Sequence, residues 1–276
     1  MSTASHHPDL SLPRVLCLHG GGTNARIFRA QCRVLERSLS STFRLCYAQA
    51  PFTSQPGSDV TAVYKSFGPF RAWLRWRPDD PELDNVSAVT LIENAVRDAI
   101  KEDDEMGGRG AWIAVLGFSQ GAKIGASLLF DQQLRAELGM SRRNGWPEFK
   151  FGVLLAGRDP LVSLSPELGT LPGMAEASSF TVLSPSEERD SPPMERLLTV
   201  PTLHVHGLDD PGLELHRKLL SRCCDAKSVR LIQWEGEHRV PIKTNDISVL
   251  INAILAIARE TGAIDESDLI DGYLSR

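Results

Sequence analysis

Short apolar runs alternate with amphipathic stretches along this chain. Arg14 to His19 (RVLCLH) is nearly continuous apolar sequence that stops at three glycines, as expected of a strand covered on both faces. Residues 24–39 then carry Ile27, Phe28, Gln31, Leu35 and Leu39 at near-helical spacing, and Phe43 to Ala48 reads as a second strand. Residues 50–70 are rich in Pro, Gly and Ser and predict a long loop, followed by the aromatic, basic FRAWLRW at 70–76. Val89, Ile92, Val96 and Ile100 share one face of a helix predicted over 87–104, which glycines 107, 108 and 110 terminate. Ala111 to Leu116 is another apolar strand, followed at once by GFSQGA and the small-residue helix KIGASLLF. Further strands are expected at 150–156, 201–206 and 228–234, with helices at 212–222 and 245–259. Residues 157–200 have little periodicity, and a stretch that long inside a compact domain points to a lid or binding segment. Strands alternating with helices imply right-handed crossovers, hence an α/β fold with a mostly parallel sheet and helices on both faces.

Composition narrows the function. The chain has 276 residues, 42% hydrophobic and 24% charged, enough to bury a core without disulfides or metals. A flexible polar tail over 1–12 and one domain over 13–276 are expected. The net charge of −5 provides no basic field for nucleic acid. The five cysteines are Cys17, Cys32, Cys46, Cys223 and Cys224. They form no C-x-x-C, and reduced thiols in a reducing compartment are the expectation. No apolar run reaches the length needed to span a bilayer, and the N-terminus lacks the pattern of a signal peptide. A cytoplasmic protein is expected.

The strongest local signal is Gly117-Phe118-Ser119-Gln120-Gly121, a G-x-S-x-G between a strand and a helix. In that setting the serine sits on a sharp turn, and its neighbours must lack bulk. Ser119 Oγ would then stand at a helix N-terminus, where amides and the dipole favour developing negative charge. The bland reading is a strand–helix turn with Ser119 as N-cap. A nucleophilic serine needs a base, and the base an orienting acid, in the α/β-hydrolase order Ser, Asp/Glu, His. GLDDP (207–211) follows one expected strand and EGEH (235–238) the next. These ends are where a doubly wound sheet gathers its ligand-facing groups. His238 is the candidate base. Two aspartates compete for the acid: Asp210, favoured by loop length, and Asp209, favoured if Asp210 caps a helix ahead of Pro211. The turn HGGGTN (19–24) should complete an oxyanion hole, with the main-chain N–H groups of Gly21 and Gln120 as donors. A phosphate cradle is disfavoured, because neither G-x-x-x-x-G-K-[ST] nor G-x-G-x-x-G is present.

Other residues invite weaker readings. His204 and His206 share a strand face but lack the further ligands of a known metal motif, so neither metal nor cofactor is expected. His19 reads as structural. Phe67, Phe70, Trp73 and Trp76 are candidates for the wall of an acyl pocket, against the commoner role of core aromatics.

Taken in order, LHGGGTN, GFSQGA, HVHGLDDP and GEH resemble the FSH-type serine hydrolases, over about Arg14 to Ala258. LHGGGTNARIFRAQ and HGLDDPGLELHRKL are similar to the fungal branch, which includes trans-acting thioesterases that release polyketide chains. The resemblance implies an α/β-hydrolase fold with Ser119, Asp210 and His238 as triad. It also implies an acyl thioester or ester substrate and the acyl carrier domain of a polyketide synthase as partner. The competing expectations are a general carboxylesterase and a non-catalytic binding protein on the same fold.

Overall fold

The computed structural model describes residues 9–57, 60, 63–77, 79–143, 145–180 and 193–265. In chain order the elements are β1 (Arg14–Leu18), α1 (Ala25–Gln31), α2 (Arg33–Leu39), β2 (Arg44–Ala48), β3 (Phe52–Ser54) and β4 (Phe70–Ala72). Then come α3 (Asn85–Glu105), β5 (Trp112–Phe118), α4 (Gln120–Glu137), β6 (Phe151–Leu155), β7 (Val162–Ser163) and β8 (Ala175–Glu176). The chain continues with β9 (Thr202–Gly207), α5 (Leu213–Cys223), β10 (Val229–Trp234) and α6 (Thr244–Glu260).

Six strands form one sheet in the order β10-β9-β6-β5-β1-β2, and every pairing in it is parallel. The period-2 alternation of the strands sorts side chains into two cores. Leu16, Leu18 and Leu154 pack with α3 and α4, whereas Val15, Cys17, Phe151, Val153 and Leu155 pack with α1, α2 and α6. After β2 the chain crosses back and builds outward from the other side of β1. The order therefore reverses between β1 and β5, and a parallel sheet opens its ligand crevice at the carboxyl ends of such a pair. HGGGTN follows β1 and GFSQG spans the end of β5, so both motifs stand at that crevice.

Three expectations need adjusting. The loop expected over 50–70 is framed by an antiparallel β3–β4 pair. Residues 9–12, expected in a mobile tail, are held because Arg109 and Gly110 N–H groups donate to Leu10 O. In the expected lid, Leu161, Val162, Leu164 and Ala177 are buried in the same core as the α4 side chains. Residues 181–192 lie outside the described residues. Among the described residues, no helix is long and apolar enough to cross a membrane.

Candidate active site

Ser119 sits where β5 breaks into α4. Its φ of 54° and ψ of −116° lie in a region that costs a non-glycine residue about 1–3 kcal/mol. Its N–H donates to Leu155 O at 2.8 Å, and its carbonyl accepts from Ala122 and Lys123. The flanking glycines are sterically required. A Cβ on Gly117 would lie 2.4 Å from Gly121 O, and one on Gly121 would lie 2.1 Å from Leu18 O. The Ser119 hydroxyl makes no capping bond; instead it reaches His238.

His238 Nε2 is 2.9 Å from Ser119 Oγ, and His238 Nδ1 is 2.7 Å from Asp210 Oδ2. An ionised carboxylate can only accept, so Nδ1–H donates to Asp210 and Nε2 is left to accept from the serine hydroxyl. Of the two aspartates, the structure brings Asp210 to the histidine. Asp210 is buried and Asp209 is exposed, with its N–H given to Gly236 O at 3.0 Å. Asp210 caps no helix: Gly212 is the N-cap of α5, and the Gly212 N–H donates to Asp210 Oδ1 at 2.7 Å. Burial raises the Asp210 pKa, but the His238 hydrogen bond and charge and the Gly212 N–H outweigh it and leave the carboxyl below its ordinary value.

The side expected to hold the oxyanion is built around a strap formed by residues 67–76. Arg71 O accepts from Gly22 N–H at 2.9 Å, and Arg71 N–H donates to Thr23 O. Asn24 caps α1 through Ile27 N–H and donates its amide to Phe67 O and Pro69 O. Gln120 Oε1 accepts from Trp73 N–H at 2.7 Å and from Leu74 N–H, while Nε2 donates to Leu74 O. A Cβ on Gly21 would meet this Gln120 side chain at 3.2 Å, so the first turn packs closely on it. Neither the Gly21 nor the Gln120 main-chain N–H has an acceptor among the described residues. His19 is structural, as read: Nε2 accepts from Ala50 N–H, and Nδ1 lies 2.8 Å from Gly20 O and 3.0 Å from Thr23 Oγ1. Burial lowers its pKa to about 4, which keeps it neutral.

The aromatic quartet divides. Trp73 is fully buried, because its indole N–H donates to His19 O at 2.9 Å and its ring lies in the core. It therefore supports the wall rather than facing a ligand. Phe67, Phe70 and Trp76 are half-buried. Two residues near the site have no role in the sequence reading. The Phe118 ring lies 4.9 Å from the His238 ring. His216, on α5, is fully buried with Nε2 3.7 Å from Asp210 Oδ2. Its spacing with Leu219 and Cys223 along the helix marks a polar residue on an apolar stripe, the signal that could have found it. Among the described residues, the group with metal-like spacing is Asp210, His216 and His238, with one ligand atom each within 4.8 Å. His204 and His206 are not part of it. Its Asp210–His238 pair is already closed at 2.7 Å.

A serine on a strained strand–helix turn, at the switch point of a parallel sheet and in contact with a His–Asp pair, defines a serine hydrolase of the α/β-hydrolase class. The family model for serine hydrolase (FSH1) matches residues 10–249, and the chain belongs to that family. It is similar to Esterase dbaE of Emericella nidulans, 54% identical over 93% of this chain and 94% of that one. It is also similar to Esterase pigG of Monascus ruber, 53% identical over 95% and 97%. Among solved structures, esterase PE8 aligns with a TM-score of 0.49 and 18% identity, over 90% of this chain and 93% of that one.

Proposed function

We propose that Ser119, His238 and Asp210 are nucleophile, base and acid of an acyl-enzyme cycle whose donor is an acyl thioester. His238 Nε2 takes the hydroxyl proton as Ser119 Oγ attacks the carbonyl carbon. The main-chain N–H groups of Gly21 and Gln120 hold the oxyanion. Collapse breaks the C–S bond, and the departing sulfur takes the proton from His238. Water or a hydroxyl of the acyl chain, deprotonated by His238, then attacks the acyl-enzyme and releases an acid or a lactone. The observation that carries the reading is the continuous contact from Ser119 Oγ through His238 to Asp210, at 2.9 and 2.7 Å. The half-buried Phe67, Phe70 and Trp76 flank the oxyanion side as candidate walls for the chain.

The donor class rests on chemistry and resemblance. A thiolate leaves more readily than an alkoxide, and the fungal branch includes trans-acting enzymes that unload a carrier domain of a polyketide synthase. A cytoplasmic setting fits five free cysteines. The relatives' names, which say esterase, favour a second reading as a carboxylesterase on small esters. Matched acyl thioesters and oxygen esters separate the two, with products identified by mass spectrometry. Medium to long acyl thioesters should give the higher kcat/KM. Turnover of short oxygen esters alone, with none of thioesters, would install the carboxylesterase instead.

A further inference from the structure

Behind the acid–base pair lies a row of imidazoles that the cycle above does not use. The His216 ring stands 5.6 Å from the ring of His206 on β9 and 6.0 Å from that of His238. His216 is 0% exposed, and neither of its ring nitrogens has a hydrogen-bond partner among the described residues. Leaving a buried N–H unsatisfied is costly, and an apolar side chain would fill the α5 stripe without that cost. The nearest acceptor is Asp210 Oδ2, at 3.7 Å from Nε2. That is about half an ångström beyond a hydrogen bond, and contacts in an unliganded catalytic site tighten when the reacting complex forms.

We propose that His216 is a positioning residue for this reaction, holding a neutral Nε2–H toward Asp210 Oδ2 and so fixing the carboxylate that orients His238. The proposal rests on the triad reading above. Asp210 then has three donors: the Gly212 N–H on Oδ1, and His238 Nδ1–H and His216 Nε2–H on Oδ2. The groups facing His216 are Asp210 and His238 from the strand-end loops, His206 from β9 and Arg158 from the loop after β6. Burial opposes charge on the ring, as do His238, His206 and Arg158. Only Asp210 favours it, and the balance lowers the His216 pKa to about 3. A neutral imidazole keeps one N–H, which the contact requires. Sharing the carboxylate charge with His216 leaves less of it for His238. Without the second donor, Oδ2 binds an imidazolium more strongly, so the loss of activity in acid should begin at higher pH.

His216→Phe keeps a ring but no N–H, and His216→Gln puts an amide nitrogen near the place of Nε2. In His216→Phe, kcat should fall about tenfold with KM within about twofold. The acid limb of kcat/KM should move up by about half a pH unit or more. His216→Gln should recover most of both. A folded His216→Phe with an unmoved acid limb overturns the proposal, as does a His216→Gln as impaired as His216→Phe. If His216→Phe does not fold, imidazole ¹⁵N spectra of the native protein decide, with His216 assigned by its loss in His216→Gln. An Nε2–H tautomer that does not titrate between about pH 5 and 8 supports the assignment; an Nδ1–H tautomer, or titration in that range, ends it. Fluorophosphonate labelling of Ser119 tests the triad separately. Labelling that is lost in Ser119→Ala beside a normal acid limb in His216→Phe means that only the role of His216 has failed.

Discussion

On the nucleophile side, the side chains of His19 and Gln120 make three hydrogen bonds each, and Trp73 is held through both its main-chain and its indole N–H. On the acid–base side, the four ring nitrogens of His206 and His216 make none among the described residues. The two halves have different tasks. An oxyanion donor is useful only if it already points at the place where charge will develop, so the strap and the first turn are bolted together. On the acid–base side, His238, which changes charge in the proposed cycle, is held at 2.9 and 2.7 Å by Ser119 and Asp210, whereas the neutral rings of His206 and His216 behind it are held by packing and by one long contact from His216 to Asp210. Hydrogen bonding thus fixes the groups that face the reacting atoms, and packing alone holds most of the neutral row behind them.

Removing the proposed nucleophile strikes the point where the halves meet and should have the largest effect. Ser119→Ala should lower kcat by about 10⁴-fold or more, leaving what binding and the oxyanion donors supply. It should also abolish labelling by a fluorophosphonate. One equivalent of label on the variant would mean another nucleophile.

The two adjacent aspartates test the acid–base half. Asp210→Asn should cost about 10³–10⁴-fold in kcat, because the amide can present an N–H to Nδ1 and favour the wrong histidine tautomer. Asp209→Asn should stay within about threefold, since an exposed side chain away from the reacting groups contributes little. Steady-state kinetics on one substrate ranks them, and the reverse order would reassign the acid.

The nucleophile half offers a gentler test. Gln120→Ala keeps the main-chain N–H but cuts the three bonds that tie α4 to the strap. A donor displaced by a fraction of an ångström should cost about tenfold in kcat, with KM nearly constant. An unaltered kcat would show that the strap is scaffolding and that preorganisation comes from the turn itself.

The same contrast explains what could be read in advance. HGGGTN and GFSQG are contiguous because a turn is a local object, and their spacing is fixed by sterics such as the 2.4 Å clash that a Cβ on Gly117 would make. Chain order on a parallel sheet brings Asp210 and His238 together, so strand-end position located both. It could not choose between Asp209 and Asp210, because a one-residue step in a loop decides which side chain turns inward. The strap was harder still. Trp73 and Gln120 are 47 residues apart in sequence, and an aromatic, basic stretch looks the same whether it faces a ligand or braces a turn. The burial of Leu161, Val162 and Leu164 was hidden for a related reason: they pack beside α4 from a stretch whose strand, β7, is only two residues long.

The smallest effect concerns stability, and it too divides the halves. His19 stands on the nucleophile side; His204, His206 and His216 stand on or beside the acid–base side. Burial, the leading cause in each, lowers the pKa of His19 and His206 to about 4 and of His204 and His216 to about 3. Once unfolded, each returns to its ordinary value of 6.5. Between those limits the unfolded chain binds more protons than the folded one, so stability rises with pH through the window and is lost as pH falls from about 6.5 toward 4. Three of the four groups lie on the acid–base side, so removing one of them should flatten the curve. His206→Leu takes away a ring whose nitrogens have no hydrogen-bond partner among the described residues, so little bonding is lost with it. Urea unfolding at pH 7 and pH 5 should show a smaller drop for His206→Leu than for the parent, by the share of about one proton. An undiminished drop would mean that His206 is already charged in the folded protein, and the row of neutral imidazoles behind Asp210 would have to be redrawn.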